Sequence, residues 1–204
     1  MYKKDNKKKF LERHMLSIDV GSKNMVFCKV EYVHMEPFFY IKSWDFVNCH
    51  GHSNIQLTVE KCVSTMREDT GIMDAVDEIV IETQPTRNIK MKVLSHCLQT
   101  FFLLHDKKVS FADPKAKLKM CEPCVSKRTY AQNKKASVNA CTLIMMKYAQ
   151  YHPDDDFVKL YMTSKKKDDL ADALLQALVR MNYPNPYTCN TLDDHWKQQK
   201  TNKL

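Results

Sequence analysis

Two short apolar runs in this chain each end in an acid: Leu16-Ser17-Ile18-Asp19-Val20-Gly21 and Glu78-Ile79-Val80-Ile81-Glu82. Such β-branched runs read as buried strands, and a charge has no structural use inside one. Each terminal carboxylate therefore belongs at the edge of a sheet. A third segment, Asp169-Leu170-Ala171-Asp172-Ala173-Leu174, opens a stretch with helical periodicity, and acids three residues apart share one helix face. All four acids can converge on one point, where they repel one another unless cations sit among them. Oxygen ligands of this number suit magnesium or manganese, the ions that activate water and hold the groups of a phosphodiester during hydrolysis.

Periodicity lays out the rest of the chain. Residues 15–20 and 25–33 read as strands joined by Gly21 to Asn24, and 38–46 as a third, aromatic-rich strand. After a loop over 48–53, Ile55, Val59, Cys62, Val63 and Met66 recur at helical spacing. A buried strand follows at 77–82, a helix at 91–105 and a last strand at 109–112. Residues 115–135 lose apolar periodicity and read as a basic loop, 134–150 as a helix, and 151–163 as a loop whose Asp154, Asp155 and Asp156 form a solvated turn. The final helix runs from about Lys166 to Met181 and is stopped by Tyr183-Pro184-Asn185-Pro186. Three meandering strands followed by αβαβ predict an α/β fold with a mixed five-stranded sheet and helices on both faces. The expected domain spans 14–182, between a basic tail over 1–13 and a polar tail over 183–204.

Composition narrows the function. Three glycines nearly exclude glycine-rich phosphate loops, and 32 basic against 24 acidic residues give a net charge of +8. If metal neutralises four acids, the remaining surface is more basic still and favours a polyanionic partner. Lys115, Lys117, Lys119, Lys127, Arg128 and Lys134 place substrate contacts in the loop beside the acids; the alternative is an ordinary solvated connection. The lysines from Lys3 to Lys9 read as a solubilising tail. Eight cysteines without a secretory segment or a membrane-length apolar run point to free thiols in a reducing compartment. Cys121-x-x-Cys124 has no second pair to complete a zinc site, and Cys49-His50-Gly51-His52 reads as a loop. Leu94, Cys97, Leu98, Phe101, Phe102 and Leu104 exceed one narrow helix stripe, as a doubly covered helix or a dimer surface would require.

The order strand-Asp, strand-Glu, helix-Asp-x-x-Asp resembles the RuvC-type Holliday junction resolvases, nucleases of the ribonuclease H-like fold, and most closely their poxvirus members. The matching residues are Ile18-Asp19-Val20-Gly21-Ser22-Lys23-Asn24, Val80-Ile81-Glu82-Thr83-Gln84-Pro85, Lys135-Ala136-Ser137-Val138 and Asp168-Asp169-Leu170-Ala171-Asp172-Ala173-Leu174-Leu175. The resemblance implies a ribonuclease H-like domain acting on branched DNA. Its implied activity is a structure-specific endonuclease that resolves four-way junctions by paired symmetric nicks, as a homodimer, in recombination and the resolution of viral replication intermediates. It implies two Mg2+ ions per site, with Mn2+ able to substitute, and the host cytoplasm as location. By the same resemblance Asp19 bridges the ions, Glu82 and Asp169 each complete one shell, Asp172 ligates or orients the water, and Lys135 stands near the scissile phosphate. Asp168 could share a face with Asp172; the family motif selects Asp169.

Other classes remain to be weighed. Actin-like ATPases and sugar kinases share the strand-Asp-x-Gly-Ser opening, but they need two such domains and glycine-rich loops. A catalytically idle nucleic-acid-binding protein has no use for intact carboxylates. Nothing in the residues separates four-way junctions from other branched DNA or RNA hybrids.

Overall fold

The computed structural model describes residues 13–33, 38–48, 54–68, 70–123 and 127–188. The first three strands, β1 (Arg13–Asp19), β2 (Met25–Tyr32) and β3 (Phe39–Val47), form an antiparallel meander. Glycine is needed at the first turn: a Cβ on Gly21 would stand 2.2 Å from the carbonyl oxygen of Asn24, so only a bare Cα lets the chain reverse directly after Asp19. The chain then crosses through α1 (Ile55–Glu68) to β4 (Glu78–Glu82), and through α2 (Ile89–Leu103) to β5 (Lys108–Ala112). Both β4 and β5 join the sheet in parallel, giving the order β3-β2-β1-β4-β5. Among the described residues three α-helices follow: α3 (Tyr130–Tyr151), α4 (Asp156–Thr163) and α5 (Lys167–Arg180). The expected mixed five-stranded sheet with helices on both faces is the observed architecture.

Alternation along the strands divides the core in two. Leu16, Ile18, Phe27, Ile79 and Ile81 face α1 and α2, while Met15, Val26, Cys28 and Val80 face α3, α4 and α5. On β1 and β4 the residues in phase with Met15 and Val80 include Asp19 and Glu82, which therefore lie on the α5 side. Helix α5 is buried without interruption from Leu170 to Leu178 because it lies across the middle of the sheet. Its apolar residues account for most of that burial, but Gln176 is buried too. The Gln176 amide donates to Ser17 Oγ at 3.0 Å, to the Val80 carbonyl at 3.1 Å and to the Ile18 carbonyl at 3.3 Å, pinning the helix to the two strands that end in acids.

A second tie sits at the other end of β4. Glu78, 1% exposed, receives Arg180 at 2.6 Å, Arg13 at 2.7 Å, Ser110 at 3.0 Å and Lys108 at 3.4 Å. Burial pushes its carboxyl up, but the hydrogen bonds from Arg180 and Ser110, with the charges of Arg180 and Lys108, outweigh that and hold it below its ordinary value.

Two stretches expected as loops contain helix. The basic segment holds a 3-10 turn over Ala116–Met120, and α3 starts at Tyr130 rather than Lys134. Residues 156–163 form α4, whose Val158 and Tyr161 are buried, with Tyr161 stacked on Trp44 at 5.4 Å between ring centroids. Of the three aspartates read as a solvated turn, Asp155 is the cap of α4: its carboxylate accepts from the Phe157 N–H at 2.7 Å and from the Tyr148 hydroxyl at 3.1 Å. Most of the surplus apolar residues on α2 are core, since Leu94, Leu98, Phe101 and Phe102 are buried, while Leu104 is 79% exposed. Beyond α5, Tyr183 is buried and Asn185 donates to the Lys119 and Cys121 carbonyls at 2.6 and 3.1 Å. Cys28, Cys97, Cys121 and Cys141 are free thiols. Lys3 to Lys9, Cys49 to His52 and Cys124 lie outside the described residues.

Candidate active site

Parallel pairing of β1 and β4 sets the first two carboxylates side by side. The register runs Ser17 opposite Val80 and Ile18 opposite Ile81, so Asp19 and Glu82 are the next residue on each strand. Helix α5 crosses above them, and Asp172 on its first buried turn completes a group of three acids drawn from three elements. Asp169 lies one turn earlier on the same face. Asp19, Glu82, Asp169 and Asp172 line one cleft of about 500 Å³ that also takes in Asn24, Gln84, Lys117, Tyr130, Asn133, Lys134 and Ser137. Asp168 is not among the cleft residues; it stands 3.6 Å from Lys134.

Two ammonium groups sit among these acids. Lys117 Nζ, from the 3-10 turn after β5, is 2.8 Å from both Glu82 Oε1 and Asp172 Oδ2. Lys134 Nζ, from the second turn of α3, is 2.8 Å from Asp172 Oδ2 and 4.0 Å from Asp169 Oδ1. Burial works against both charges, but the neighbouring carboxylates outweigh it and raise both lysines above their ordinary value. Asp19 moves the other way from an ordinary carboxylate: burial, then the charges of Glu82 and Asp172, raise it well above the usual range, only partly offset by Lys117 and Lys134. Burial and the charge of Asp168 raise Asp169 as well. Asp172 is 4% exposed, and its Oδ1 is buried without a hydrogen-bond partner.

That orphaned oxygen, together with an acid group still short of positive charge, fits a divalent cation bound by oxygen. As the side chains stand, no three acids, histidines or cysteines among the described residues close on a single ion position. Lys117 bridges Glu82 and Asp172, and Lys134 links Asp172 with Asp169.

The remaining basic residues fall into two groups. Lys115 lies at the mouth of the cleft and also lines, with Lys119, Lys127 and Arg128, a neighbouring hollow of about 540 Å³. Arg128 donates to the Glu122 carbonyl, which ties the far wall of that hollow together. Lys135 is exposed and does not line the cleft; its neighbour Lys134 does. The cause is the phase of α3, which brings Tyr130, Asn133, Lys134 and Ser137 onto the cleft side. Tyr130 and Asn133 carry no motif in the sequence, and Ser137 enters it only within Lys135-Ala136-Ser137-Val138. A signal existed: Thr129-x-x-Gln132 is a capping-box pattern, and the Thr129 hydroxyl accepts from Gln132 N–H at 3.3 Å while Gln132 Oε1 accepts from Thr129 N–H at 2.7 Å.

The model of the poxvirus A22 protein family matches residues 14–183, from the start of β1 through the end of α5. The chain belongs to the poxvirus A22 protein family. A search of curated proteins by sequence returns no significant match. Among solved structures, this A22-family chain is similar to the fowlpox virus resolvase in complex with its substrate Holliday junction DNA, at 18% identity and a TM-score of 0.58 over 83% of this chain and 97% of that one. It is also similar to Thermus thermophilus RuvC in complex with a Holliday junction substrate, at 12% identity and a TM-score of 0.55 over 83% of this chain and 97% of that one. The A22-family fold here is thus the ribonuclease H-like fold of RuvC-type proteins.

Proposed function

We propose that this chain is a metal-dependent endonuclease that resolves four-way DNA junctions by paired nicks. The observation that carries the proposal is the meeting of Asp19, Glu82 and Asp172 from three separate elements around a buried, unpartnered carboxylate oxygen. Membership in the A22 family, and a fold shared with two proteins whose structures hold Holliday junction DNA, support the substrate.

Asp19, Glu82, Asp169 and Asp172 would hold Mg2+ or Mn2+, one or two ions. The ion supplies an activated water and compensates charge on the leaving oxygen. The chain's own residues do the rest. Asp19, at the end of the central strand β1, faces the other acids. Lys117 and Lys134, whose ammonium groups lie among these carboxylates, would place positive charge beside a bound backbone and stabilise its phosphoryl oxygens. Lys115, Lys119, Lys127 and Arg128 continue the positive surface outward for the arms of the junction, as contacts to phosphate rather than to bases.

Two strands must be cut to resolve a junction, and one acid group cuts one. A homodimer with two-fold symmetry presents two such groups to an object with the same approximate symmetry. Ile89, Val93 and Leu104, with Val59, Val63 and Cys97, leave an open apolar groove between α1 and α2, on the face away from α5, that a second copy can cover.

The test is cleavage of a panel of four-way, flap and linear DNAs in Mg2+ by the wild type, Asp19→Asn and Asp172→Asn. Four-way junctions should be cut far faster than linear duplex. Partners that merely orient a metal ligand are worth 10–100-fold, so loss of a ligand should lower the rate more than about a hundredfold while junction binding persists. Equal cutting of all substrates, or near wild-type rates in both variants, would overturn the proposal.

A further inference from the structure

Tyr130 is 78% exposed, an unusual position for a large aromatic ring, and it stands at the rim of the carboxylate cleft. It is the first residue of α3, and the capping box between Thr129 and Gln132 fixes the backbone immediately before it. The ring is thus carried on a rigid helix start rather than on a loose loop. Four residues on, one turn deeper on the same face, Lys134 reaches Asp172 at 2.8 Å. Those four residues rise about 6 Å along the axis, a step comparable to that from a backbone phosphate to a neighbouring base.

We propose that Tyr130 stacks on an unpaired nucleobase beside the phosphate to be cut. This rests on the nuclease function proposed above and adds how the cut position is recognised. Lysines hold phosphates wherever they occur and carry no information about base pairing. An aromatic face does: bases within a duplex are covered by their neighbours, whereas at the exchange point of a branched DNA the stack is interrupted and a ring face becomes available. With the phosphate drawn toward Lys134 and the adjacent base resting on Tyr130, the ring positions an unstacked nucleotide over the acids and leaves a continuous duplex, which offers no free face, out of place.

The experiment uses the full chain in EDTA, so that no strand is cut, with four-way junctions carrying 2-aminopurine on either side of the cleavage position. Wild-type protein should quench the probe at one of these positions and not at a site far along an arm. Tyr130→Phe and Tyr130→Trp should keep the quench, since stacking needs the ring and not the hydroxyl. Tyr130→Ala should abolish it and weaken junction binding roughly tenfold, with duplex binding and calorimetric Mn2+ affinity unchanged. A quench that survives in Tyr130→Ala, or is lost in Tyr130→Phe, overturns the stacking role. If wild-type protein neither prefers nor cuts junctions, the functional proposal itself fails, an outcome separate from a failure at Tyr130. Thermal melting of each variant checks that the fold is intact; an exposed ring should leave it within about 2 °C of wild type.

Discussion

Lys117 and Lys134 pair with the carboxylates proposed to hold an ion. Replacing either by methionine keeps length and removes charge, so the metal-free protein should bind Mn2+ about tenfold more tightly while cutting more slowly; calorimetry and single-turnover kinetics read the two effects separately. Unchanged affinity would mean that the ammonium groups do not occupy the ion positions. A different pH response belongs to Glu78, whose carboxyl is held below its ordinary value of 4.5. A depressed folded value means that folding favours the charged form. The stability it contributes is present above about pH 4.5 and is lost as pH falls through the folded value. Glu78→Gln should therefore flatten the melting temperature as pH falls below about 4.5, as well as lowering it near neutrality, whereas a parallel curve would place the acid sensitivity elsewhere. At this scale the sequence was readable where a charge broke a pattern. Asp19 and Glu82 ended apolar runs, and Asp172 opened a helix, so their convergence could be expected. Lys134 and Tyr130 broke no pattern. Their place depended on where α3 begins, and Lys117 reached the acids only because a 3-10 turn folds the chain after β5 back over them.

Helix α5 positions the site, and two changes separate its packing from its polar pin. Leu174→Ala opens a cavity under the helix and should cost about 2–5 kcal/mol, a fall of roughly 5–15 °C in melting temperature. Gln176→Leu fills the same space but leaves the Ile18 and Val80 carbonyls without their donor, at about 1–3 kcal/mol. Only the second should also weaken Mn2+ binding, because it frees α5 to shift relative to the strands that end in Asp19 and Glu82; equal metal affinity in both variants would reduce Gln176 to a packing residue. The strands were legible as runs with alternation. Helix α4 was not, for a physical reason: eight residues give too few turns for a periodic signal, and its acidic start resembles a solvated turn until Tyr148 and Phe157 are seen to use Asp155. The polar residue Gln176 inside an apolar helix signals a buried partner, but only the tertiary structure names it.

For the molecule as a whole, the decisive quantity is how many acid groups act on one junction. On a supercoiled plasmid extruding one cruciform, paired nicks within one complex give linear product, whereas independent nicks relax the plasmid, reabsorb the cruciform and stop at open circles. A charge placed in the apolar groove, Leu104→Glu with Ile89→Glu, should convert linear product to open circles and halve the mass in sedimentation while leaving the first nick intact; linear product from that variant would move the dimer contact away from α1 and α2. The mixed five-stranded sheet and its two covered faces followed from alternation and the sequence of elements, whereas the strand order β3-β2-β1-β4-β5 came from the structure. What alternation cannot give is the match in length between α5 and β4. Asp172 and Arg180 are eight helical residues apart, about 12 Å; Glu82 and Glu78 are four strand residues apart, about 13 Å. The two run in opposite directions, tied through Lys117 at one end and by Arg180 on Glu78 at the other. The pair works as a gauge fixed at both marks. One inserted residue between them would turn the far contact by about 100°, so the residue count of this stretch is fixed by its two ends as firmly as its side chains are fixed by the core.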